Sequence, residues 1–597
     1  MKYSLTIFRK LSYLLFFTWP GLSALAQTQT AETNALYLQT SDVHDLLVKM
    51  RADEGSLQRF YFMKNSPEYT TRFQQLYTDY LQQLNNLKFD NMNTGSRVDY
   101  LLTKRDLEDN LRLLQVASKE YSQISKWVPF ADKIYALEKP RRRGRNLNAQ
   151  EFAAELNTIE KNVAASSAAL TKEPRLDLNE SYRLAGVVTD LQEALKSVYT
   201  FYDGYVPRFT WWVAEPYKRV NAKLTAYAKL AEQKGRIPAK NQKLDKSGIL
   251  GKPIGKDELQ QQLQYEMIPY TSEELIQIAN KEFAWCDREM LKASQELGFG
   301  DDWHKALEKV KNTYVPEGTQ PEAMLDLYNQ SIDFLKQKDL ITIPPVAEET
   351  WRMQMMTPER QLVSPFFLGG ETFLISYPTN TMAHEDKLMS MRGNNPHFSR
   401  ATVHHELIAG HHLQGFMGNR YKAYREFRTP FWTEGWALYW EMLLWDQNFP
   451  RSAEDRIGML FWRMHRCARI IFSLNYHLGK WTPQECIDFL VDRVGHERAN
   501  AEGEVRRSFE GRYGPLYQVA YMMGGLQFYA LHKELVDSGK MTNKQFHDAV
   551  LRENRMPVEM VRAILTDQKL PQNYKTTWKF YNNPAIPDES KQKQALK

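Results

Sequence analysis

From Ser41 to about Leu230 the chain repeats one spacing, with apolar side chains at every third or fourth position and charged or amide residues between them. In Tyr69 to Leu87 the apolar positions include Tyr69, Phe73, Leu76, Tyr77, Tyr80 and Leu84, and Val98 to Ile124 reads the same way. Such a stripe is one face of an α-helix, so the first half is expected to be a scaffold of packed helices. The segment Gly235 to Gly255 mixes lysine, proline and glycine ahead of a second helical region that begins near Thr271, and a lobe boundary is expected there.

The pattern changes between Leu362 and Pro378, where F-F-L-G-G-E-T-F-L-I-S-Y is short, partly aromatic or β-branched, and bracketed by glycines and a proline. This is the texture of a strand, whose free edge would suit an extended peptide held by backbone hydrogen bonds; a structural strand in a small hairpin fits the same residues. After Pro396 a helical pattern returns, with Ser399 expected as its cap and Met417 near its end. A further helix follows Pro430 and reads T-E-G-W-A-L-Y-W-E-M-L-L-W. Glu434, Leu438 and Glu441 lie on it at i, i+4 and i+7, so two carboxylates share a face among tryptophans, which is costly unless they are paired. The expected fold is mainly α-helical: two helical halves around a deep cleft, with a small β element before the histidine-bearing helix.

Composition adds an address. Lys2, Arg9 and Lys10 precede or enter an apolar stretch that ends at Ala24-Leu25-Ala26, the pattern of a secretory signal spanning residues 1–26 and cleaved after Ala26. The stretch is short and interrupted by Pro20 and Gly21, and no cysteine stands at the cleavage point to carry a lipid. A soluble exported protein is expected, periplasmic or secreted, without stable membrane insertion. Losing the three basic residues lowers the formal charge from +6 to +3, which gives no reason to expect a nucleic-acid partner. The three cysteines, Cys286, Cys467 and Cys486, cannot form a disulfide framework for a chain this long, so a core drawn from its 43% apolar residues must hold it. The basic run Arg141-Arg142-Arg143-Gly144-Arg145 follows Pro140 and reads as a solvated loop.

Candidate chemistry is concentrated in V-H-H-E-L-I-A-G-H-H-L-Q, where four of the thirteen histidines fall within nine residues. His404, His405, Glu406, His411 and His412 supply the imidazoles and carboxylate that suit zinc. The spacing is not that of H-E-x-x-H, because position 409 is alanine. On an unbroken helix His411 would sit about 120° around the axis from His405 and roughly 9 Å along it, so the two could not converge on one ion. His405 with His412, or His404 with His411, would share a face at a separation of about 10.5 Å. A helix distorted at Ala409-Gly410 would instead drop His411 into the place of a second ligand. Farther on, Arg506, Arg507, Tyr513, Tyr517 and Tyr521 are side chains of the kind that bind carboxylates and oxyanions.

The motifs H-E-L-I-A-G-H-H-L-Q, T-E-G-W-A-L-Y-W-E, the R-x-x-R helix ending in H-L-G-K-W-T, and E-V-R-R before P-L-Y-Q-V-A-Y-M-M-G resemble the DUF885 family from about residue 40 to 565. That family in turn resembles the helical gluzincin metallopeptidases. Two positions depart from its usual pattern, Ala409 where proline is common and Ser473 where aspartate is frequent. The resemblance implies one zinc ion on His405, His411 and Glu434, with Glu406 as general base. It implies Glu441 behind the ligands, and His404 and His412 are expected around them. His477 and Tyr521 are the expected oxyanion stabilisers, and Arg506, Arg507 and Tyr513 the expected substrate contacts. The expected activity is a zinc-dependent peptidase for short peptides; a non-catalytic metal-binding scaffold and a zinc amidase for non-peptide amides are the alternatives.

Overall fold

The computed structural model describes residues 41–236, 245–361, 366–510 and 513–581. The signal expected at 1–26 lies outside these residues, as do positions 237–244 of the expected lobe boundary and 362–365 of the expected strand. The architecture is mainly α-helical, with one two-stranded sheet among the described residues.

Helical spacing in the first half resolves into His44–Phe60, Pro67–Asn85, Thr94–Ile124, Ala131–Arg141, Ala149–Lys172, Leu178–Tyr202 and Pro207–Gly235. Their starts are set by local chemistry: Ser66, Asn93, Asn148 and Asp177 each accept a backbone N–H of the first turn. One apolar core lies wholly between Met63 and Ala231 and includes Ile134, Leu156, Leu191, Val213 and Tyr227. A second joins Val43, Phe73 and Leu102 to Leu335, Trp436 and Val561. The first helices of the chain therefore share a core with its far end.

The strand read in the sequence is Thr372–Ile375, paired in parallel with Arg352–Met355 in the register Arg352 to Thr372 through Met355 to Ile375. Its other edge is occupied at Leu374, which exchanges backbone hydrogen bonds of 2.8 and 3.1 Å with Leu368. The edge expected to receive a peptide is thus already paired by the chain's own backbone.

The helix Pro430–Asp446 is apolar nearly all round, so it is buried on every side. Trp432, Trp436, Tyr439 and Trp440 enter the core shared with the first helices, while Phe431, Leu438 and Met442 enter a third core with Leu460, Ile470 and Met522. Its main neighbour is the helix Tyr517–His532, and the two touch through glycines. A Cβ on Gly435 would stand 2.5 Å from the Gly524 backbone, and one on Gly524 would stand 2.1 Å from the Phe431 carbonyl oxygen. That approach, closed to any larger residue, seats Tyr517 beside Glu434.

Candidate metal centre

The histidine-bearing helix is Pro396–Glu406. Asn395, rather than the expected Ser399, is its cap, accepting the N–H groups of His397 and Phe398 at 3.0 Å each. Ser399 sits in the first turn and donates back to the Asn394 carbonyl at 3.2 Å. The helix does not continue to Met417. Leu407 (φ −109°, ψ −112°) and Gly410 (φ −84°, ψ −131°) leave helical geometry, and a new helix opens as His411–Gly418. The Gly410 N–H turns back to the His404 carbonyl at 2.8 Å. A Cβ at position 410 would fall 1.8 Å from the His405 carbonyl oxygen, so the chain can turn there only with glycine. The distortion expected at Ala409-Gly410 is therefore present as a full break. Across it the rings of His405 and His411 face each other, with centroids 4.9 Å apart and planes at 86°.

Glu434 completes the group. His405, His411 and Glu434 each bring one ligand atom within 4.8 Å of the others. Oε2 of Glu434 lies 3.3 Å from His411 Nε2 and 3.6 Å from His405 Nε2, and it is buried without a hydrogen-bond partner. Oε1 of the same carboxylate accepts the Tyr517 hydroxyl. On the far side of His405, Nδ1 lies 2.7 Å from Glu441 Oε1, which also accepts Arg466 Nη2 at 3.3 Å. A carboxylate behind a ligand imidazole fixes its tautomer and orientation. Burial alone would push both carboxylates up. The facing imidazoles outweigh it and hold Glu434 well below the usual range, and Arg466 with His405 lowers Glu441. Burial would likewise depress His405, but the facing Glu434 carboxylate and the hydrogen-bonded Glu441 push it up to about 9.

Glu406 follows His405 directly and lines the same cavity. Burial raises its carboxyl against the pull of His405 and His411. The Gly370 N–H donates to the Glu406 carbonyl at 3.1 Å, so the segment 366–371 lies across the site. The cavity has a volume of about 1170 Å³, and all of its lining residues fall between Val346 and Arg555. It is built by the second half of the chain rather than by two halves meeting over the ligands.

One wall of the cavity carries Arg466, Arg469, Arg507, Tyr513, Tyr517 and Tyr521. The guanidinium groups of Arg466 and Arg469 lie over the Tyr521 ring at 4.8 and 4.3 Å, and that ring stacks toward His405 at 6.3 Å. Arg469 donates to Glu504 at 2.7 Å, yet its buried Nη1 has no partner. Arg507 donates to the Tyr513 hydroxyl at 3.1 Å, and its Nε is also buried without a partner.

Several expected residues lie elsewhere. Arg506 pairs with Glu510 at 2.8 Å and does not line the cavity, because it and Arg507 point to different sides of one helix. His477, at the end of the helix Ala453–His477, packs edge-on to Tyr476 and Phe509 outside the cavity, where burial lowers it to about 4. His404 faces Phe449 and burial lowers it to about 3, so it does not turn toward the ligand group. His412 lines the cavity but spends Nε2 on the Ala347 carbonyl at 2.7 Å. Arg466, Arg469 and the contact of Tyr517 with Glu434 were not anticipated. Their signal was available in the R-x-x-R spacing and in two tyrosines one helical turn apart.

The family described as bacterial protein of unknown function (DUF885) matches residues 61–565. The chain belongs to that family. No curated protein matches this DUF885 chain. Two solved structures share its fold, both described as putative lipoproteins. The one from Shewanella oneidensis, of unknown function, is 17% identical with a TM-score of 0.63, covering 88% of this chain and 100% of that one. The one from Colwellia psychrerythraea is 15% identical with a TM-score of 0.57, covering 88% of this chain and 98% of that one. Among the described residues no helix is long and apolar enough to cross a membrane.

Proposed function

We propose that this DUF885 protein is an exported, zinc-dependent peptidase of the gluzincin kind that acts on short peptides bearing a carboxylate near the scissile bond. The observation that carries the reading is the buried Glu434 Oε2, unpartnered and aimed at two imidazole nitrogens. An isolated buried carboxylate oxygen is expensive, and a cation among these donors would satisfy it. Two imidazoles and one carboxylate form the donor set of a catalytic zinc site, which keeps a position open for water or substrate. When bound there, zinc supplies a lowered water pKa and a polarised carbonyl.

The chain's own groups do the rest. The Glu406 carboxylate accepts the proton of the attacking water and delivers it to the leaving amine. Glu441 holds His405 in place through Nδ1, and Tyr517 holds Glu434 through Oε1. Tyr521, without His477, offers its hydroxyl to the oxyanion. Arg466, Arg469 and Arg507 hold a substrate carboxylate one aromatic ring away from the ligands, which fixes the register of the bond to be cut. The description of the two fold relatives as lipoproteins supports an exported location.

A digest of a synthetic peptide library, read by mass spectrometry, tests the reading. Cleavage is expected to stop on chelation and return with zinc. A free-acid peptide is expected to be a better substrate than its C-terminal amide, with the difference removed by Arg469→Ala. No cleavage of any peptide by zinc-loaded protein would refute the peptidase. Equal hydrolysis of acid and amide would refute the arginine wall alone.

A further inference from the structure

Far along the chain from the metal centre, one end of the first helical bundle is built against the usual logic of a surface. Of the fourteen large hydrophobic side chains exposed among the described residues, five fall between positions 201 and 212: Phe201, Tyr205, Val206, Trp211 and Trp212. Tyr205 and Trp211 are each 83% exposed, which is nearly the whole side chain. All five surround the tight connection between the helices Leu178–Tyr202 and Pro207–Gly235. Scattered exposed hydrophobics need no explanation, but a cluster of aromatics at one tip marks a surface that meets something other than water.

The tip is firm and basic. Beneath the exposed rings, Phe209 packs against Phe152 at 5.4 Å and Tyr202 at 5.1 Å, and Tyr199 stacks on Tyr217 at 4.0 Å. The loop after Pro140 comes to the same end: the Tyr202 hydroxyl donates to the Arg145 carbonyl, and Gly144 lies against Phe201. That loop exposes Arg145 and Arg143, the latter over the Phe60 ring at 5.3 Å, and Arg208 stands one helical turn before Trp211. Among the described residues none of these three arginines forms an ion pair with an acid. Nearby acids are largely taken up: Asp203 accepts the Thr210 hydroxyl at 2.9 Å, and Glu138 and Glu68 pair with Arg141 and Arg142 of the same run, while Glu215 follows one turn beyond Trp211.

We infer that this tip docks the protein on an anionic lipid surface, with Tyr205, Trp211 and Trp212 seated among the headgroups and Arg143, Arg145 and Arg208 facing lipid phosphates. Tryptophan and tyrosine are the residues that favour the boundary between headgroups and acyl chains, where an apolar body and a polar edge are both accommodated. Each arginine near an anionic leaflet strengthens attachment by about fivefold, and the contribution weakens with salt. The charge around the aromatics selects this partner over a second copy of the chain, because two copies meeting at this tip would oppose arginine to arginine. Neither mode of attachment requires a membrane-spanning helix. Arg143 and Arg145 gain a role here, whereas Arg141 and Arg142 of the same run are tied to Glu138 and are not the solvated loop expected; this inference does not depend on the peptidase reading.

The test is co-flotation of the purified full chain with vesicles. The chain is expected to float with vesicles of phosphatidylglycerol and phosphatidylethanolamine, and not with phosphatidylcholine alone. The Tyr205→Ser, Trp211→Ser double variant is expected to lose about tenfold in partitioning, as the apolar area it removes is what enters the interface. Arg143→Glu, Arg145→Glu and Arg208→Glu together are expected to remove the salt-sensitive part. These side chains are exposed, so both variants are expected to keep the wild-type melting temperature. Unchanged flotation in either variant would overturn the inference, as would equal binding to phosphatidylcholine. Self-association in sedimentation velocity that the double variant abolishes, without flotation, would assign the patch to a second copy and overturn it as well.

Discussion

The helix Pro430–Asp446 and the tip around Trp211 break the same rule in opposite directions. The helix buries Glu434 and Glu441 among Trp432, Trp436 and Trp440, whereas the tip sets Trp211 and Tyr205 in water beside arginines. Inside, the penalty is desolvation of charge, and the structure answers it atom by atom with His405, Arg466 and Tyr517. One oxygen of Glu434 has no hydrogen-bond partner and faces His405 and His411, and on the proposed reading that atom takes the metal ion. Outside, the penalty is apolar area in contact with water, and no described residue answers it. A buried charge and an exposed ring are informative for one reason: each is a local loss that a bound partner would offset.

The strongest way to break this comparison is at the buried side. Glu406→Gln keeps the ligand set and removes only the proton carrier, so kcat is expected to fall about 10² to 10⁴-fold with metal content unchanged. Peptide turnover assays with metal analysis on the same sample check both halves; full turnover would remove Glu406 from the chemistry. Next in size, Trp436→Ala empties a fully buried position and is expected to cost about 3–5 kcal/mol by denaturant unfolding. Glu441→Ala should weaken zinc binding by about 10 to 100-fold, because His405 loses the group that orients it. A competitive chelator titration measures this, and a complete loss of metal would make Glu441 rather than Glu434 the ligand. The smallest effect sharpens the contrast: Trp211→Ala is expected to change stability by no more than about 0.5 kcal/mol. A large loss there would mean that the ring is packed rather than presented.

Much of this arrangement was legible beforehand, and the misreadings share a cause. The i, i+7 spacing of Glu434 and Glu441 placed both acids on one face, and the density of histidine at 404–412 marked the centre. The absence of histidine at position 409 even pointed to a break at Gly410, because a regular helix could not bring His411 to His405. What the spacing could not tell was rotation between elements that meet only in three dimensions. Arg506 and Arg507 are adjacent in sequence, yet only Arg507 reaches the cavity. His477 sits on the same helix as Arg466 and Arg469, two turns farther along, and its ring is turned into apolar packing against Phe509. The cap fell to Asn395 because the proline after it starts the helix earlier than Ser399 would. The exposed aromatic tip was hidden because Trp and Tyr at helical spacing read as core until the neighbouring helices are known.

The central claim is that His405, His411 and Glu434 hold zinc while His412 does not. Metal analysis of the purified protein beside Glu434→Ala, His411→Ala and His412→Ala tests it most directly. The account predicts about one zinc per chain in the wild type and in His412→Ala, and its loss from the other two variants. Zinc retained by Glu434→Ala or His411→Ala, or lost from His412→Ala, would contradict it.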